Sequence, residues 1–181
     1  FLAQYFRANY DTALSHLPII SSAVDISKIE VWVTNTTRSV ENARNIVAFV
    51  DLGEEKNTRQ IYGRTEKNIS NTNVVTTKNF NVPANNANSL YEQLVNLGTQ
   101  FRNINFVNKT LIALGLKTGT DFEKIEYARK LSANEYTYDA KLGYLSLNTA
   151  LNSDEVLAVA FKYTVGGQVY QVGEFSTDGV D

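Results

Sequence analysis

Cysteine and methionine are absent from the chain, histidine and tryptophan occur once each, and proline occurs twice. Without cysteine there are no disulfides, thiolate metal sites or cysteine nucleophiles. A lone histidine, His16, leaves a zinc site without most of its usual ligands. No run of about 18 apolar residues occurs, so no transmembrane helix is expected. No cluster of lysine or arginine is present and the formal net charge is only −2, which gives no electrostatic footprint for nucleic acid or an anionic membrane surface. The chain opens at Phe1 with no methionine, basic leading region or cleavage site, and so reads as a mature piece or an excised fragment.

What is present suits one folded domain. A chain of 181 residues with 43% hydrophobic content can bury a core without staples, as one domain or at most two small ones. Asparagine is dense from Asn68 to Asn108, where it favours turns and loops.

Tyr5, Phe6, Tyr10, Ala13, Leu14 and Leu17 follow a helical stripe over residues 4–17, which Pro18 would end. Residues 26–34 alternate as a strand, with Ile29, Val31 and Val33 on one face and Glu30, Trp32 and Thr34 on the other. Residues 45–52 are apolar on both faces until Asp51, the pattern of a central strand. Gln60 to Tyr62 and Asn73 to Thr77 read as short strands inside a polar insertion around 55–88. Ser89 and Glu92 have capping-box spacing ahead of Leu90, Leu94 and Leu97, with Gly98 at the C-terminal cap. Phe101 to Leu116 alternates in part and reads as two strands. Over residues 120–129 a capping-box spacing competes with alternation of Ile125, Tyr127 and Arg129, and helix and strand stay open. Strands follow at 135–138, 144–147, 155–164 and 168–173, with a hairpin turn at Val165 to Gly167 and another turn at Asn152 to Asp154. The order is not an alternating βαβ one, so a parallel α/β sheet is not expected.

Few residues carry a pattern that points to chemistry. His16 would be the base of a Ser-His-Asp triad, but it sits in the first helix with no nucleophile motif anywhere. Asp51, Glu54 and Glu55 offer oxygen ligands for Ca²⁺ without EF-hand spacing, and read as a solvated turn. Asp154 and Glu155 polarise another turn. Gly115 and Gly119 lack the lysine and hydroxyl residue of a phosphate loop. Asn35, Asn68 and Asn108 head Asn-x-Ser/Thr triplets of the kind an Asn- and Thr-rich chain forms by chance. Trp32, Tyr136, Tyr138, Tyr144, Phe161, Tyr163 and Tyr170 fall on expected strands, where aromatics serve the core or cross-strand pairs, or else form a sugar- or peptide-binding platform.

Several segments carry more than composition. They are Ile29 to Asn35 (IEVWVTN), Ala43 to Glu54 (ARNIVAFVDLGE), Ala128 to Leu131 (ARKL), Glu135 to Thr137 (EYT), Leu142 to Asn148 (LGYLSLN), Asp154 to Phe161 (DEVLAVAF) and Tyr170 to Ser176 (YQVGEFS). Tyr5, Phe6, Asn9 and Tyr10, with Leu17 and Pro18, belong to the same set. Together these resemble the SprA/Sov family of Bacteroidetes, named for gliding motility and secretion. The resemblance touches both ends of the chain and is weakest from Glu55 to Ala87. It implies a part of the outer-membrane translocon of the type IX secretion system, a very large β-barrel with soluble insertions that passes folded cargo to the cell surface. It carries no catalytic residue, metal or cofactor onto any position. A capped helix and strands apolar on both faces do not fit barrel wall, so the expectation is an insertion or flanking domain.

The expected fold is α+β and mostly antiparallel β, a single soluble domain over residues 1–181 with a sandwich or jelly-roll-like core and one or two packed helices. The expected role is non-catalytic: contact with secretion-system subunits or secreted cargo, at the outer membrane, without nucleic acid. Two rivals stand beside it. A carbohydrate-binding module on a sandwich would show exposed aromatics lining a groove. A hydrolase would show a pocket holding two carboxylates.

Overall fold

The computed structural model describes residues 2–36, 41–50, 52–53, 58–61, 64–67 and 82–178. The fold is α+β with mostly antiparallel strands. Its centre is one five-stranded sheet built from β1 (Val24–Val33), β2 (Ala43–Phe49), β5 (Phe122–Lys130), β8 (Leu157–Val165) and β9 (Gln168–Val172). The strand order is β2-β5-β1-β8-β9, and every neighbour pair is antiparallel. Two ribbons accompany it: β3 (Thr58–Ile61) with β4 (Arg64–Lys67), and β6 (Tyr136–Asp139) with β7 (Tyr144–Leu147).

The pairing of β1 with β8 fixes the two faces. Ile29 lies opposite Phe161, Val31 opposite Val159 and Val33 opposite Leu157, so these six share one face. Trp32 opposite Ala158 and Glu30 opposite Ala160 share the other. The first face is covered twice. Helix α1 (Gln4–Ala13) inserts Phe6 against Val24, Ile26, Phe161 and Tyr163. The β6–β7 ribbon lays Tyr136, Leu145 and Leu147 over Val31, Val33 and Leu131. The second layer expected of a sandwich is therefore a helix plus a ribbon. Phe6 meets Phe161 and Tyr163 edge-on, at 5.9 and 5.4 Å between ring centres. Gly143 makes this possible: a β-carbon there would lie 2.3 Å from the Phe6 ring, and its φ of 68° is one that side chains resist.

On the other face, Trp32 packs with Ile46, Ala48, Ile125, Ala128, Val156 and Ala158. Helices α2 (Leu90–Asn96), α3 (Thr99–Arg102) and α4 (Val107–Ala113) enclose a separate cluster of Leu90, Leu94, Val107, Leu111 and Phe122, flanked by Val47 and Phe49.

Four expectations are corrected. Among the described strands β2 lies at the edge of the sheet, not at its centre; its residues are apolar on both sides because they pack toward Trp32 and toward the helices. Residues 101–116 form α3 and α4 in place of two strands, since Val107 and Leu111 are four apart and bury one helical stripe. Ser89 does not cap α2: its hydroxyl accepts from Gln93 Nε2, and Asn88 Oδ1 accepts from the Leu90 amide instead. Residues 82–88 are not simply polar insertion, because Pro83, Ala84, Ala87 and Asn88 are buried. Residues 122–130, left open above, form a strand. The strand expected at Asn73 to Thr77 lies outside the described residues, as do Asp51, Glu54, Glu55 and Asn68.

Candidate functional site

The residues singled out from sequence do not converge. His16 is exposed in the turn after α1, with Nδ1 2.8 Å from the hydroxyl of its neighbour Ser15, which itself donates to the Thr12 carbonyl. No described carboxylate is hydrogen-bonded to the imidazole, so no triad forms there. Asp154 is exposed, and Glu155 caps its turn by accepting from the amide and side chain of Asn152. No group of three His, Cys, Asp or Glu among the described residues could hold a metal ion. The aromatics divide. Trp32, Phe161 and Tyr163 are core. Tyr138 and Tyr144 are exposed, but Tyr138 lies opposite Leu145 while Tyr144 lies opposite Asp139, so the two point to different faces of the ribbon and share no platform.

A cleft of about 460 Å³ lies where the edge strand, the sheet and the helices meet. That is within the size range of ligand sites. Its walls are Trp32 and Ala158 from the sheet, Leu94 and Phe101 from the helices, Phe175 from the C-terminal tail and all of Arg44 to Val50. Non-local packing builds it, which is why no spacing in the sequence announces it.

Two polar clusters hold its rim, and both depend on the tail after β9. In the first, the Arg102 guanidinium donates to both oxygens of Glu174 at 3.0 and 2.8 Å, and the Tyr91 hydroxyl donates to the same carboxylate at 3.0 Å. The bond to Glu174 holds Arg102 above its ordinary pKa, against desolvation. Burial, with the Glu174 charge behind it, pushes the Tyr91 hydroxyl up. In the second, the buried Glu30 on β1 accepts from Lys130 Nζ at 2.7 Å, from the Ser176 amide at 2.9 Å and from the Ser176 hydroxyl at 2.8 Å. Burial is the largest influence on Glu30 and raises its pKa; the bonds from Lys130 and Ser176 together outweigh it and leave the carboxyl below its ordinary range. Phe175, buried between these two clusters, carries Lys28 Nζ 4.0 Å over its ring.

Chemically, the cleft offers apolar contact, aromatic walls and strand backbone. Among the described lining residues the one carboxylate is Glu174, which is paired with Arg102. Residues 174 and 102 are 72 positions apart, and nothing local to either points to the other.

Comparison with protein-family models finds no match, and comparison with curated proteins finds none.

Proposed function

We propose that this chain is a non-catalytic interaction module of a type IX secretion translocon at the outer membrane, docking a partner subunit or guiding cargo. One observation carries the reading. The segments that resemble SprA/Sov proteins are scattered from Tyr5 to Ser176 in sequence, and they contribute to α1, to β1, β2, β5, β8 and β9, to the β6–β7 ribbon and to the tail behind β9. Every strand of the five-stranded sheet carries part of one of them, as do the helix and the ribbon that cover its first face. No helix among the described residues is long and apolar enough to cross a membrane.

The sheet is also built to carry an insertion. The chain departs after Gly53 and returns at Ala84, and the Ala84 amide donates to the Gly53 carbonyl at 2.9 Å. The two ends of the insertion are held side by side by the core. A long loop between fixed ends costs little, about 0.6 kcal/mol for each doubling of length, and loops on a rigid scaffold are where binding residues concentrate.

Deleting Thr58 to Thr77 in the parent translocon tests the reading. The expected result is a domain with unchanged circular dichroism and a cell that exports less cargo. A folded domain with normal export removes the insertion as a contact surface and, with it, the argument for docking through this loop.

A further inference from the structure

We infer that the cleft is a strand-acceptor site: an extended peptide segment from a partner protein adds to the edge of β2 that pairs with no described strand and fills the cleft with its side chains. Strand β2 pairs with β5 on one side and with no described strand on the other. Residues Arg44 to Val50 line the cleft without a gap, and no β5 residue lines it. The cleft therefore lies along the edge of β2 that faces away from β5. The Val50 amide donates to the Asp121 carbonyl at 3.0 Å, which sets the phase of the ladder. In an antiparallel ladder, residues two apart point the same way. Ile46 and Ala48 accordingly turn their backbone groups toward β5, and Val47 and Phe49 turn theirs toward the cleft.

Native sheets usually protect such an edge with lysine, proline or a covering element. Here the strand has no proline and a single charge, Arg44, lying before the irregularity that separates it from Ile46. The exposed hydrogen-bonding row calls for another backbone, not for a small molecule, because only an extended chain presents donors and acceptors at the matching repeat. The surroundings specify its side chains. Trp32 and Ala158 stand on one flank and Leu94 and Phe101 on the other, so an added strand needs apolar residues on both of its faces. The rim charges Arg102 and Glu174 are paired with each other, so neither requires a charged group in the occupant.

Trp32 is the only tryptophan and lines the cleft, so its emission reports occupancy. The probe is the peptide acetyl-Lys-Val-Ile-Val-Phe-Val-Lys-amide, titrated into the 181-residue chain, beside the same peptide methylated on alternate backbone nitrogens. The expected result is a saturable change in Trp32 emission, binding at least tenfold weaker for the methylated peptide, and slowed amide exchange at Val47 and Phe49 with the unmethylated one. The substitution Val47→Pro, which removes an outward donor without taking one from the β5 ladder, should weaken binding by a similar factor; the exchange measurement on the unaltered chain stands if that variant fails to fold. No saturable change up to millimolar peptide overturns the proposal. Equal binding of both peptides overturns it in favour of an apolar pocket without strand pairing. So does occupation by 8-anilinonaphthalene-1-sulfonate that neither peptide displaces. Protection of Val47 and Phe49 that rises with protein concentration in the absence of peptide, together with a dimer in sedimentation, gives the edge to a second copy and also overturns it. The proposal shares with the interaction reading only the idea of a protein partner. Because the titration uses the isolated chain, its failure leaves the export test standing, and failure of that test leaves the titration standing.

Discussion

The two sides of the sheet are built from the same strands and finished differently. On the side that carries Phe6, an aromatic cluster fills the space: Phe6, Phe161 and Tyr163 meet in edge-to-face and tilted contacts, and the Tyr163 hydroxyl donates to the Pro83 carbonyl. Gly143 leaves room for the Phe6 ring, which a β-carbon at that position would meet at 2.3 Å. On the side that carries Trp32, the strand residues opposite the helices are small, Ala158 and Ala160 among them, and a cleft of about 460 Å³ remains. The first side is a folding core. The second is held open by polar clasps from the tail, Glu174 to Arg102 and Ser176 to Glu30, in place of side-chain volume. Packing and clasping differ in what they withstand: a filled core responds to loss of volume, a clasp to loss of charge.

The strongest test of that contrast removes one phenylalanine from each side. Phe161 is 2% exposed inside the filled cluster. Phe161→Ala should cost about 3–5 kcal/mol, the range for emptying a buried aromatic site that cannot collapse. Phe101 is only half-buried, so Phe101→Ala should cost about 1–2 kcal/mol, the transfer term of a ring that is partly in water already. Urea denaturation of the two variants gives the comparison directly. Equal losses would mean that the cleft side is packed as tightly as the other.

The filled side is also the part that sequence patterns reveal. Strands β1, β6, β7, β8 and β9 fall within two residues of where alternation and turn residues put them, and the Gly166–Gly167 turn carries positive φ at both positions as a tight hairpin requires. Phe161 and Tyr163 sit on one face of an interior strand, as their spacing demands. The cleft side resisted for physical reasons. Strand β2 looks central because both of its faces are apolar, yet one long edge pairs with no described strand; periodicity reports burial of side chains and is silent about backbone partners. Residues 101–116 alternate over too short a span to separate a strand from two short helices, and tertiary packing of Val107 and Leu111 decides the matter. The clasps join residues 72 and 146 positions apart, which no local rule can pair.

Acid should weaken the fold through one carboxylate on each side, Glu30 in a clasp and Glu135 at the start of the ribbon. Glu30 titrates below its ordinary value in the folded chain, so its contribution is complete above the unfolded value near 4.5 and is lost as pH falls through the folded one. Glu135 follows the same sign: bonds from the Ser132 amide and hydroxyl and from Arg129 pull it to about 2, and its window runs from about 4.5 down to about 2. Glu30→Gln should cost about 1.5–3 kcal/mol at neutral pH, the worth of hydrogen bonds to a charged group, and should flatten the fall in stability below pH 4.5. Denaturation midpoints measured at intervals between pH 7 and pH 2 show this. A variant that loses stability with pH as steeply as the parent would remove Glu30 from the acid response.

The smallest effect belongs to His16, which lies on neither side of the contrast. Its imidazole is exposed, and its one hydrogen-bond partner is the hydroxyl of the residue before it. The proximity of Ser15 and His16 follows from the chain, and the hydroxyl is already committed to the Thr12 carbonyl, with no described carboxylate to orient the ring as a base. Nucleophile, base and orienting acid must act as a unit for such a pair to work, and the third member is missing from the described contacts. His16→Gln keeps a polar side chain in the turn. Stability should move by less than about 0.5 kcal/mol, as for surface changes away from special features, and the Trp32 titration should be unchanged within twofold. Loss of any measured activity in that variant, with circular dichroism intact, would overturn the non-catalytic reading, because His16 touches neither the cleft nor either clasp.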